Sequence, residues 1–133
     1  MVSSIFTQTN IAVIWDFDKT LIPGYMQDPL FQHYNVDGRT FWREVNALPK
    51  YLTRDGQEMV AEDSIYLNHI LTYVRAGMFK GLNNQLLRQL GAKLEFYPGL
   101  PEFFPALKEY VSQCPLFSKY DIKVEHYIVS TGL

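Results

Sequence analysis

Asp16–Phe17–Asp18–Lys19–Thr20–Leu21 sets two carboxylates at i and i+2 and a hydroxyl at i+4, directly after the apolar run Ile11–Ala12–Val13–Ile14–Trp15. Carboxylates at this spacing can share a hard divalent cation, magnesium above all, since the stretch offers oxygen ligands and no His or Cys cluster. They can also divide the work at a phosphorus centre. The first attacks in line and forms an acyl phosphate, and the second protonates the departing alcohol and later takes a proton from water. A bland alternative is a solvated loop pair or a structural calcium site. A second stretch, Tyr127–Ile128–Val129–Ser130–Thr131–Gly132, also carries an apolar run into hydroxyl side chains. Taken alone, a strand-ending turn explains it equally well.

Convergence of such groups needs strands to aim them. The run ending at Trp15 and the run Val124–Glu125–His126–Tyr127–Ile128–Val129 are short, rich in β-branched and aromatic residues, and closed by small polar residues. Their near-continuous apolarity predicts strands covered on both faces of a parallel α/β sheet, whose carboxyl edge is where open sheets bind ligands. Between them the pattern is helical. Leu67, Ile70, Leu71, Val74 and Met78 predict one stripe, with Gly77 and Gly81 near its end, and Leu82, Leu86, Leu87 and Leu90 predict another closed by Gly91. Further helices are expected over about 39–51, up to Pro49 on the Phe41, Val45 and Leu48 face, and over about 102–113. Pro-Gly pairs at 23–24 and 98–99 punctuate the chain. They predict an α/β core from 1–22 and 98–133 with a helical insert over 23–97; helices that merely extend a single core are the alternative.

The apolar strand followed by Asp16-x-Asp18-x-Thr20 resembles the first motif of the haloacid dehalogenase (HAD) superfamily, and the strand ending in Ser130 resembles its second. The resemblance implies a HAD-like Rossmannoid α/β core of parallel strands with an inserted all-helical cap, closest to the phosphoserine-phosphatase-like branch. It implies that Asp16 is the nucleophile and Asp18 the acid/base. The Asp16 side chain and the Asp18 carbonyl would bind Mg²⁺, Thr20 would buttress the turn, and Ser130 with the Thr131 N–H would hold phosphoryl oxygens. The implied substrate is a small phosphorylated metabolite. A halide leaves without a proton whereas an alkoxide needs one, so Asp18 favours phosphate esters over dehalogenation. The family's third motif, a Lys, and its fourth, an acidic pair, have no counterpart, because only Thr131, Gly132 and Leu133 follow Ser130. Lys19 occupies the variable position of the first motif, and Lys119 and Lys123 precede the second strand. The expectation is therefore the N-terminal part of a longer phosphatase, incomplete in its sheet and a poor catalyst by itself. Unpaired sheet edges would invite self-association. Two alternatives remain open: a phosphotransferase or mutase on the same scaffold, and a non-enzymatic binding module derived from a phosphatase.

Composition narrows the field. With 133 residues the chain has the size of one domain, and a formal charge of −2 excludes a nucleic-acid binder that depends on bulk positive charge. The single Cys114 excludes an internal disulfide and a Cys-based zinc site, and it has no activating neighbour in sequence. No apolar run exceeds five residues, so no membrane-spanning segment is expected, and the first ten residues carry no Lys or Arg of a secretory signal. A cytoplasmic location is the expectation. His33, His69 and His126 show no ligand spacing, and Tyr25, Tyr34, Phe41, Trp42 and Tyr51 read as packing within the insert before they read as a substrate lid.

Overall fold

The computed structural model describes residues 9–52 and 62–132. In chain order the elements are β1 (Asn10–Trp15), α1 (Asp28–His33), α2 (Gly38–Leu52), α3 (Glu62–Arg75), α4 (Asn84–Gly91), α5 (Phe103–Gln113), α6 (Pro115–Lys119) and β2 (Lys123–Ile128). The protein is mixed α/β, with β1 and β2 forming a two-stranded parallel sheet. It divides into two compact units, one built from 9–23 and 95–130, the other from 24–52, 62–94 and 131–132.

In the first unit, β1 pairs with β2 in a register that sets Ile14 against Tyr127 and Trp15 against Ile128. Successive side chains alternate between faces, and in-register partners share a face. Trp15 and His126 therefore lie on the side packed by α5. The Trp15 ring meets Phe103 and Phe104 edge-on at 5.9 and 5.6 Å, and Phe104 lies 4.9 Å from the His126 ring. The Trp15 indole N–H donates to His126 Nδ1 at 3.0 Å. An indole nitrogen only donates, so Nδ1 must present a lone pair and the ring proton sits on Nε2. That Nε2 is buried without a partner among the described residues.

The other face corrects the sequence expectation of strands covered on both sides. Ala12 and Ile14 on β1 and Tyr127 on β2 are exposed, Ile14 at 68% and Tyr127 at 48%. Apolar side chains make a run read as buried, but only packed elements can bury it, and none among the described residues covers this face.

In the second unit the core forms around Phe41 and Phe79, both fully buried. Phe31 lies 4.9 Å from Phe41, and Tyr73 lies 5.1 Å from Phe79. The start of α2 follows from Asp37, whose carboxylate accepts from the N–H groups of Arg39 and Thr40 and from the Thr40 hydroxyl. The Thr40 hydroxyl bond leads the causes that hold Asp37 below its ordinary carboxylate range. Pro49 lies inside α2 rather than ending it. A proline near the last turn forfeits a single N–H bond, so the helix runs on to Leu52. Asn83 caps α4, its Oδ1 accepting from the Leu86 N–H at 2.9 Å, while Leu82 stays outside the helix.

The α3 stripe also differs from expectation. Leu67, Leu71 and, beyond the helix, Met78 are exposed, whereas Ile65, Tyr66, Ile70 and Tyr73 are buried. This helix carries apolar residues on two sides, and the aromatic side that meets Phe41 and Phe79 wins the core because larger rings bury more surface. Gly77 and Gly81, with φ of 77° and 78°, take the left-handed turns that release the chain from α3 toward α4. Two helices have no counterpart in the sequence reading, α1 and α6. Each spans less than two turns, too short for apolar periodicity, and only the prolines in their first turns mark them. Among the described residues, no helix is long and apolar enough to cross a membrane.

Candidate functional site

The site is built on the ends of the two strands. Because β1 and β2 are parallel and in register, both deliver their C-terminal ends to one edge of the sheet. The ladder extends one step beyond the strands, where the Val129 N–H donates to the Trp15 carbonyl at 2.9 Å. Asp16 is therefore one residue past the final registered pair and Ser130 is two residues past it, on strands about 4.8 Å apart. Two segments more than a hundred residues apart in sequence thus carry their polar residues to the same sheet edge.

Beyond Asp16 the chain curls tightly. The Phe17 carbonyl accepts from the N–H groups of Thr20, Leu21 and Ile22 at 3.3, 2.9 and 3.4 Å. Lys19 sits at φ 59°, a left-handed conformation that a side chain with a Cβ adopts at some cost. Asp18 and Ile22 close the curl through a β-bridge. The Thr20 hydroxyl reaches back to donate to Asp16 Oδ2 at 3.3 Å, which restrains the first carboxylate from within its own loop.

Buried apolar side chains anchor this curl. Leu21 and Ile22 are almost wholly buried. The Leu21 carbonyl accepts from the Tyr97 N–H at 3.0 Å, and Phe17 meets Phe96 edge-on at 6.3 Å. These four residues position the loop that holds Asp16 and Asp18, and the reading from chemical groups passed over them. The signal was present in Leu21–Ile22, an apolar pair directly after the polar motif.

Asp16, Asp18, Thr20 and Ser130 all belong to the unit that contains the sheet. Thr131 belongs with the helical unit, where its carbonyl accepts from the Tyr66 hydroxyl at 2.5 Å. Asp16 is exposed and Asp18 half-buried. The donors at the strand end are oxygen atoms, the right kind for magnesium, but their number is short. Among the described residues, no three His, Cys, Asp or Glu side chains gather as a metal shell.

A second polar cluster lies in the helical unit and had no signature in sequence spacing. Glu44 on α2 accepts at Oε2 from the Tyr73 hydroxyl at 2.6 Å, with His69 Nε2 at 2.8 Å from the same oxygen. The Tyr73 bond, then the His69 bond, hold the Glu44 carboxyl below its ordinary range. Burial, reinforced by the bond to Glu44, pushes Tyr73 up to about 12. Phe41 lies 5.0 Å from the His69 ring and 5.2 Å from the Tyr73 ring, so the cluster is seated against the core. It ties α2 to α3. Of the aromatic residues singled out in the insert, Phe41 is core, Tyr34 packs on Phe79 at 5.0 Å, Trp42 lies against Tyr66, and Tyr51 is exposed.

No protein-family model matches the chain. An uncharacterized protein of Borreliella burgdorferi is 46% identical over 122 residues, which cover 92% of this chain and 42% of that relative. The chain thus spans less than half the length of the curated relative it matches. No solved structure matches it.

Proposed function

We propose that the loop 16–20 is the phosphoryl-handling site of a Mg²⁺-dependent phosphomonoester hydrolase of the HAD type, with an α/β core and a helical cap. The observation that carries this reading is the in-register parallel pairing that brings the Asp16 and Ser130 strand ends to one sheet edge. A lone acidic pair in a loop would not require a hydroxyl-ended partner strand at the same edge.

In this reading an Asp16 carboxylate oxygen attacks phosphorus in line, and the bond from phosphorus to the alcohol oxygen breaks. Asp18 gives its proton to the departing alkoxide. Water then attacks the acyl phosphate, Asp18 takes back a proton, and inorganic phosphate and the free Asp16 carboxylate are regenerated. The Thr20 hydroxyl, already bonded to Asp16 Oδ2, holds that carboxylate so that its other oxygen faces the substrate. The Ser130 hydroxyl donates to a phosphoryl oxygen. Magnesium would be held by the Asp16 side chain and the Asp18 carbonyl, with further ligands from outside the described residues, and would supply neutralising charge.

The test uses beryllium fluoride, which mimics an acyl phosphate on a carboxylate, added with Mg²⁺ to the 133-residue protein. Bound ¹⁹F resonances are expected in the wild type and absent from Asp16→Asn. Phosphate release from simple monoesters by this chain is expected to be very slow, because neither a cation beside the phosphoryl group nor a complete acidic shell is supplied. An Asp16→Asn variant that retains the bound fluoride signals, or a wild type that shows none, overturns the assignment.

A further inference from the structure

We infer that the open face of the sheet, together with the outer edge of β1, is a docking surface for polypeptide of the kind that makes up the unmatched part of the longer relative. Three observations lead there. Ala12, Ile14 and Tyr127 share one face and are all exposed, although parallel sheets are stable when both faces are covered. Among the described residues each strand pairs on one side only, so β1 offers a row of backbone groups for another strand. The Borreliella burgdorferi relative continues well beyond the region that this chain matches.

The chemistry of the face fits an apolar partner at one end. The Tyr127 hydroxyl donates to the Glu125 carboxylate, so the polar end satisfies itself and the Ile14 end stays open. The size of the face decides between occupants. Two six-residue strands present about 20 by 10 Å, roughly 200 Å² on each partner. A stable association of separate copies needs about 800 Å² on each side. Self-association through this face is therefore undersized. A segment tethered in the same chain does not have to meet that threshold, because its effective concentration is already high.

The experiment joins the unmatched part of the relative to this chain, in the order the relative has it, in a Cys114→Ser background. Single thiols are placed by Ile14→Cys, Tyr127→Cys and, as a control on exposed Leu116 of α6, Leu116→Cys. In the 133-residue protein all three are expected to react freely with a maleimide. In the fused protein the thiols at 14 and 127 are expected to react about tenfold more slowly or worse, while the one at 116 is unchanged. Should the fusion fail to fold, the separately purified segment is added to the wild-type chain and amide exchange of 11–15 is measured, with slowing expected. Unchanged labelling in a folded fusion overturns the inference, as does unchanged exchange with the added segment. Protection of position 14 in the 133-residue protein through a concentration-dependent dimer assigns the face to a second copy, and equally overturns it. The readout is coverage of the sheet, so it stands or falls separately from any phosphoryl chemistry at Asp16.

Discussion

Replacing Tyr73 by Phe removes one hydroxyl from the Glu44–His69–Tyr73 cluster and leaves the ring packed against Phe41 and Phe79. The rise of Tyr73 from 10 to about 12 is worth at most about 2.7 kcal/mol of pH-dependent stability. The Glu44 side chain is 42% exposed, so water screens part of that attraction and about 1–2 kcal/mol is the expected loss at pH 7. The sign follows from the direction of each shift. Tyr73 is raised in the fold, so its contribution is full below pH 10 and fades as the pH climbs toward 12. Glu44 is lowered, so its contribution is full above 4.5 and fades as the pH falls below that value. Urea unfolding followed by far-ultraviolet circular dichroism, on wild type and Tyr73→Phe at a series of pH values, reads the difference directly. That difference should be largest on the plateau between about pH 5 and 9 and shrink on both sides. A variant as stable as wild type at pH 7, or a difference that does not change between pH 9 and 11.5, would show that the hydroxyl does not link α2 to α3 as described.

Phe79→Ala, at a fully buried position, should cost about 3–5 kcal/mol and broaden or abolish the helical unfolding transition in calorimetry. Asn83→Ala removes the α4 cap and should cost about 1 kcal/mol in a thermal melt, with Asn83→Asp restoring most of it. Trp15→Phe keeps the ring contacts with α5 but deletes the bond to His126 Nδ1, for a loss of about 1 kcal/mol in denaturant titrations. Thr20→Val keeps the shape of the curl while freeing the Asp16 carboxylate. It should weaken the bound ¹⁹F signals without shifting the melting temperature by more than about 2 °C.

Local chemistry wrote much of this protein into its sequence. β-Branched and aromatic runs located both strands to within a residue, because the preference for an extended chain is set by each side chain and its immediate neighbours. The spans of α2, α4 and α5 followed from periodicity and punctuation, while α1 and α6 were too short to leave a period. The acid–acid–hydroxyl spacing at 16, 18 and 20 was legible as chemistry, and the bond from Thr20 to Asp16 spans only four residues. Other features depend on contacts between distant segments, and no local pattern encodes them. Direct pairing of β1 with β2 across the intervening helices, and hence the meeting of the Asp16 and Ser130 strand ends, is a property of the sheet. Which side of α3 is buried was decided by the rings it meets, and the joining of Glu44 to His69 and Tyr73 by the packing of two helices. Apolar residues in β1 looked interior because their composition is interior; whether they are covered depends on what lies against them, and only the assembled structure shows Ile14 open to solvent.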